Sequence, residues 1–121
     1  VSAVSAKFLS TLFGSRTQAH IFHLQTESFA AHKALNEYYD EIVDLVDSYA
    51  ETCQGRHGII RGYQATTQIF EDDSVIKYFM GLQTFVDNIR TQLPQDGDLN
   101  NIVDEIAGLI NSTIYKLRFL K

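Results

Sequence analysis

Seven side chains, His32, Leu35, Tyr39, Ile42, Val46, Tyr49 and Cys53, recur at alternating steps of three and four residues along a single stretch of the chain. Only an α-helix places such a series on one face; a strand would throw neighbouring members to opposite sides. The same rhythm appears three more times. It runs from about Val4 to Leu24 through Phe8, Leu12, Phe13, Ala19, His20 and His23, and from about Ser74 to Leu93 through Tyr78, Phe79, Leu82, Phe85, Val86 and Ile89. The last stretch starts near Asp98 and uses Leu99, Ile102, Val103, Ile106, Leu109, Ile110, Ile114 and Leu117. The single proline, Pro94, together with Gly97, separates the third stretch from the fourth. The pattern predicts an all-α chain of four helices.

Connection lengths predict the topology. The first and second helices are joined by a few residues, with Thr26 or Ser28 available as an N-cap and Glu27 near the positive helix end. The third and fourth are joined as briefly, so each pair reads as an antiparallel hairpin. The second helix is expected to end near Gln54-Gly55, where glycine can take a left-handed cap. About twenty residues, Gln54 to Asp73, then lead to the third helix, with a weakly helical patch around Tyr63 to Phe70 that predicts a short extra helix. Two hairpins joined by one long crossover is the ferritin-like four-helix arrangement. A chain of 121 residues supplies one such domain over residues 1–121.

Composition narrows the function classes. Hydrophobic residues form 45% of the chain, enough for a packed core, yet no apolar run approaches a membrane span. The first residues lack the basic lead and apolar centre of a secretory leader. One cysteine, Cys53, excludes an intrachain disulfide and fits a reducing, cytoplasmic setting. The net charge of −5 favours cations over nucleic-acid phosphates as partners.

Four residues carry the candidate chemistry: His20, His32, Asp47 and Glu51. Asp47 and Glu51 lie one helical turn apart on one face. His32, fifteen residues upstream in the same helix, is roughly 22 Å away, outside any shared ligand shell. A twofold copy of the helix running antiparallel would bring His32 of one chain beside Asp47 and Glu51 of the other. His20 and His32 are symmetric about Thr26, so the hairpin is expected to set them at one height. Two imidazoles and two carboxylates, assembled between subunits, suit ferrous iron, and zinc competes for the same donors.

The spacing of these four residues resembles that of the Dps-type miniferritins. So does the surrounding text: Phe29-Ala30-Ala31-His32, Tyr39-Asp40-Glu41-Ile42 and Asp47-Ser48-Tyr49-Ala50-Glu51, with a weaker echo in Asp96-Gly97-Asp98-Leu99 and Tyr115-Lys116-Leu117-Arg118-Phe119-Leu120. The resemblance implies a dodecameric hollow shell built from twofold dimers. It implies ferroxidase centres of one or two irons at the dimer interfaces, where hydrogen peroxide or oxygen oxidises Fe(II) before storage as ferric mineral, protecting against oxidative damage. It also implies that the acids at the start of the fourth helix, Asp96, Asp98, Asp104 and Glu105, line pores for iron entry. The sequence departs from the family in two places. Ile21 stands where a Trp commonly follows the first ligand histidine, and Asn36 stands where another acid commonly follows the second. The basic N-terminal tail of DNA-coating members is missing, so DNA binding is not expected.

Each residue also has a plainer reading. A histidine on an apolar stripe is often a hydrogen-bonded core residue, and acid stripes are often solvated faces. His23, one turn after His20, reads as packing, with a supporting or extra-ligand role as the alternative. His57 reads as an exposed residue of the crossover. Tyr38, Tyr39 and Tyr49 read as helical tyrosines with an apolar body and a wet tip, with uptake of stray oxidising equivalents near iron as the alternative. The rival to iron chemistry is a non-catalytic helical-bundle interaction protein with a degenerate metal site, favoured by Asn36 and Ile21. A hemerythrin-like or DinB-like metal protein needs histidines on the later helices, and those helices have none.

Overall fold

The computed structural model describes residues 2–65 and 68–121. It contains four long helices: α1 (Ser2–Gln25), α2 (Phe29–His57), α3 (Val75–Ile89) and α4 (Gly97–Phe119). A single 3-10 turn, Asp72–Ser74, leads into α3. The expected short helix around Tyr63 to Phe70 is not found among the described residues of that stretch; Thr66 and Thr67 lie outside them.

Local chemistry sets the helix ends. The Ser28 side chain accepts a hydrogen bond from the Ala31 N–H and caps α2, while Thr26 Oγ1 accepts from the Ser28 N–H. α2 runs past Gly55 and stops at Gly58, whose φ of 92° is open to glycine and strained for other residues. α3 ends at Ile89, short of the expected Leu93. Pro94 disfavours helical geometry at Leu93, and the chain leaves the helix through a turn closed by Gln92 N–H onto the Ile89 carbonyl.

Packing joins α1 to α2, α2 to α4, α4 to α3 and α3 to α1, so the helices close a four-membered ring. Contacts give their directions. Ser15 meets Tyr38 at 2.7 Å and Ser5 meets Cys53 at 4.0 Å, so α1 and α2 are antiparallel. Arg56 meets Asp98 and Lys116 meets Glu37, which makes α2 and α4 antiparallel. Arg90–Asp104 and Gln83–Asn111 do the same for α3 and α4. The crossover climbs along α1: Arg61 N–H donates to Ser2 Oγ, Gln64 N–H to Ser10 Oγ, Phe70 N–H to Gln18 Oε1, and Gln25 Nε2 to Glu71 Oε2. Those anchors span nearly the whole of α1, roughly 35 Å at 1.5 Å per residue. The chain therefore returns to the hairpin end before α3 begins.

The core fills the ring. Phe8 packs edge-on against Tyr49, and Tyr38 against Phe79, with ring centroids 5.1 and 4.9 Å apart. Leu9, Leu12, Leu35, Ile42, Ile106 and Ile110 close the remaining space and are fully buried.

At the end of the bundle opposite the α1–α2 turn, Arg56 and His57 grip Asp96 and Asp98: Arg56 Nε lies 2.9 Å from Asp98 Oδ1 and His57 Nε2 lies 2.8 Å from Asp96 Oδ1. His57 is thus the last residue of α2 rather than a loop residue. Its hydrogen bond to Asp96 is the main influence holding that carboxyl below its ordinary range. A carboxyl depressed by folding adds stability above its unfolded pKa and loses it as pH falls through the folded value. Asp96→Asn is therefore expected to flatten the acid side of the stability profile. Thermal unfolding from about pH 5 to pH 3 checks this, with a shallower fall in Tm than wild type as the expected result.

Candidate functional site

The α1–α2 turn brings three histidines together, in an order the sequence does not suggest. His23 stacks on His32 with ring centroids 3.6 Å apart, and His20 stacks on Tyr39 at 4.4 Å. His23 also sits 5.8 Å from His20 and 5.3 Å from Tyr39, ring centre to ring centre. His23, not His20, is level with His32. The hairpin is centred between Glu27 and Ser28 rather than on Thr26, because α1 continues to Gln25 and Ser28 caps α2.

The stacked pair is held by reciprocal bonds. His23 Nδ1–H donates to the His32 carbonyl at 2.7 Å, and His32 Nδ1–H donates to the His23 carbonyl at 2.9 Å. The tautomer is assigned from these acceptors, since a carbonyl requires a donor opposite it. In each neutral ring the lone pair is then on Nε2. A backbone carbonyl behind one ring nitrogen is also the usual support of a metal-bound histidine. Near-parallel rings do not aim both lone pairs at one point, so the pair does not chelate an ion by itself. His23 is buried, His32 half-buried and His20 exposed.

Asp47 and Glu51 lie on the exposed face of α2. Neither has an ion-pair or hydrogen-bond partner among the described residues. Also among these residues, no three His, Cys, Asp or Glu side chains of one chain converge to hold a metal ion. The structure thus brings His20, His23 and His32 to one end of the α1–α2 hairpin and leaves Asp47 and Glu51 well along α2.

Asn36, one turn after His32, is committed within its own helix. Its Oδ1 accepts from the Tyr39 hydroxyl at 2.7 Å, and its Nδ2 donates to Asp40 at 2.9 Å. Tyr39 is thereby fixed against His20. Tyr38 is wholly buried and shares a 2.7 Å bond with Ser15; burial pushes its phenol far above the ordinary range. Burial also pushes Tyr49 up to about 12, and the nearby Ser5 hydroxyl approaches it without a well-formed hydrogen bond. Cys53 is buried beside Ser5, with its thiol raised by burial, and a raised thiol is a poor nucleophile.

Three of the four expected pore acids have basic side chains of their own chain as partners. Asp96 is bonded to His57, Asp98 to Arg56 and Asp104 to Arg90 at 2.6 Å. Glu105 instead lines a groove between α2 and α4 with Glu41, Asp44 and Lys116. The pore reading overlooked Arg56 and His57, whose place at the end of α2 follows from that helix running beyond Gly55. Among the described residues, no helix is long and apolar enough to cross a membrane.

His23 takes the packing role that its apolar stripe predicts, and its level position opposite His32 is what the sequence reading missed. Its spacing of one turn from His20 was the available signal. Removing it takes away the buried ring and the second donor of the His32 carbonyl, which keeps its helical bond within α2, so His23→Ala is expected to cost about 1–3 kcal/mol. His20→Ala, at an exposed position, should stay within about 0.5 kcal/mol. Urea unfolding of the two variants distinguishes them, and equal losses would contradict the inner position of His23.

The chain belongs to a protein family of unknown function, DUF5856, whose model matches residues 23–117. An uncharacterized 14.6 kDa protein from the mobD-ri intergenic region of Enterobacteria phage T4 is 27% identical over 116 residues, covering 92% of this chain and 85% of the phage protein. No solved structure matches.

Proposed function

We propose that this member of the DUF5856 family is a ferritin-like iron protein that binds Fe(II) between two copies of the chain and oxidises it with hydrogen peroxide or oxygen. The observation that carries the reading is His32: its Nδ1 is fixed on a backbone carbonyl, and its Nε2 is left for an outside partner. Two further features support it. Two antiparallel hairpins joined by a crossover along the bundle is the ferritin-like course of the chain. Asp47 and Glu51 stand exposed about 22 and 28 Å from His32 along α2, a separation an antiparallel second copy would close.

In this reading His32 and His20 of one chain and Asp47 and Glu51 of the other hold the iron, which is substrate and cargo. Two Fe(II) ions give up one electron each, and one hydrogen peroxide takes both electrons with two protons to leave two waters. The ferric product prefers carboxylate oxygen to imidazole, so it leaves the histidines for acid-lined surface and is stored. Assembly into a dodecameric shell belongs to the same proposal, and zinc is the expected competitor for the donor set.

A non-catalytic bundle protein is the second reading, favoured by Asn36. Its amide is committed to Tyr39 and Asp40 and adds no anionic ligand. Aerobic addition of Fe(II) separates the two: growth of ferric-oxo absorbance supports the first, and a flat trace the second.

The shared site makes a specific demand. Asp47→Ala, Glu51→Ala and His20→Ala, His32→Ala double variants should each be nearly inactive alone. Mixed under conditions that exchange subunits, they should recover part of the oxidation, because some interfaces then hold one complete site. Full activity in either variant, with the fold retained, would refute a site built from two chains.

A further inference from the structure

The cations of this chain are not used alike. Arg56, Arg90 and Lys116 each sit against a carboxylate. Among the described residues the other seven of the ten lysines and arginines have no such partner, and Lys7 and Arg61 are two of these. Both line one groove of about 930 Å³ between the first half of α1 and the start of the crossover. Its polar lining is completed by Ser2, Ser10, Thr11 and Gln64, and no carboxylate takes part. α1 has no Asp or Glu anywhere along its length, whereas α2 has six. The groove is thus a local region of positive potential on a protein of net charge −5.

The wall of the groove is fixed. Ser2 Oγ accepts from the Arg61 N–H at 2.9 Å and donates to the Arg61 carbonyl at 3.3 Å, so one side chain holds both backbone groups of that residue. Ser10 Oγ holds the Gln64 N–H at 3.0 Å. The Arg61 guanidinium therefore starts from an anchored backbone, which lowers the ordering cost of binding. A guanidinium forks onto two phosphate oxygens, and an ammonium adds a compact charge beside it. The volume is that of a small-molecule site. We propose that this groove binds a small phosphorylated molecule, with Arg61 bridging phosphate oxygens and Lys7 neutralising the remaining charge. The proposal is independent of the iron chemistry at the other end of the hairpin.

Calorimetric titration with metal-free adenosine triphosphate, and separately with inorganic phosphate, tests it at about 150 mM salt, where loose surface attraction is mostly screened. Saturable binding of one triphosphate per chain is expected, weakened about tenfold or more in a Lys7→Gln, Arg61→Gln variant. Arg16→Gln, an exposed α1 cation outside the groove, should bind as wild type does. Thermal unfolding confirms that the variants keep their fold. No binding by wild type, equal affinity in the double variant, or equal weakening in Arg16→Gln overturns the proposal. So does a single-stranded oligonucleotide that needs Lys7 and Arg61 when the triphosphate does not bind, which would assign the groove to a nucleic-acid backbone. Self-association that disappears in the double variant, without triphosphate binding, would assign it instead to the acidic face of a second copy.

Discussion

The fold depends on a strap. Between α2 and α3 the chain must travel the length of the bundle without regular secondary structure over most of the way, and its backbone groups need partners there. α1 supplies them at Ser2, Ser10 and Gln18, spaced eight residues apart, with Gln25 bonded to Glu71 at the far end. Gln18 shows the device most clearly: Nε2 donates to the Phe70 carbonyl at 2.9 Å while Oε1 accepts the Phe70 N–H at 2.8 Å. One nearly buried amide therefore satisfies both backbone polar groups of a residue whose ring packs on the core. An eight-residue stride rises about 12 Å and advances about 80° around the axis, so the anchors wind around α1 and the crossover follows them as it climbs.

That strap decides where chemistry can sit. By returning the chain to the hairpin end it makes α3 antiparallel to α1 and places the acidic start of α4 against the end of α2. Asp96 and Asp98 then meet Arg56 and His57, which ties the two hairpins together at the end away from His20, His23 and His32. The acids of that end are committed within the chain, and those along α2 are left facing outward.

Helix number, order and antiparallel pairing were legible in the sequence because they rest on periodicity and on connection length, both of which survive errors of a few residues. The histidine geometry was not. Symmetry about Thr26 matches His20 with His32, whereas the structure matches His23 with His32, a register change of three residues, close to one helical turn. A hairpin centre is set by which residue caps the second helix, and Thr26 and Ser28 were equally acceptable caps from sequence alone. The end of α2 was misjudged for a similar reason: Gly55 and Gly58 both offer a stop, and only the backbone shows that Gly58 takes the positive φ. The task of Asn36 was invisible because its partners Tyr39 and Asp40 lie within its own helix and any polar residue would satisfy the pattern.

The uneven charge of α1 and α2 bears on how copies could associate. α2 presents Glu37, Asp40, Glu41, Asp44, Asp47 and Glu51 on its outer face, and among the described residues only Glu37 is bonded to a cation of its own chain, Lys116. Two such faces laid antiparallel would repel each other across water. For an iron site shared between chains, that repulsion has to be offset at the contact itself. Histidine opposite carboxylate does part of this, since it replaces acid–acid contacts with donor–acceptor ones, and a divalent ion between them does the rest. Association would then be linked to metal binding, each strengthening the other by the same free energy. The acid face that looks like a liability in one chain would be the element that makes the assembled site selective for its cargo.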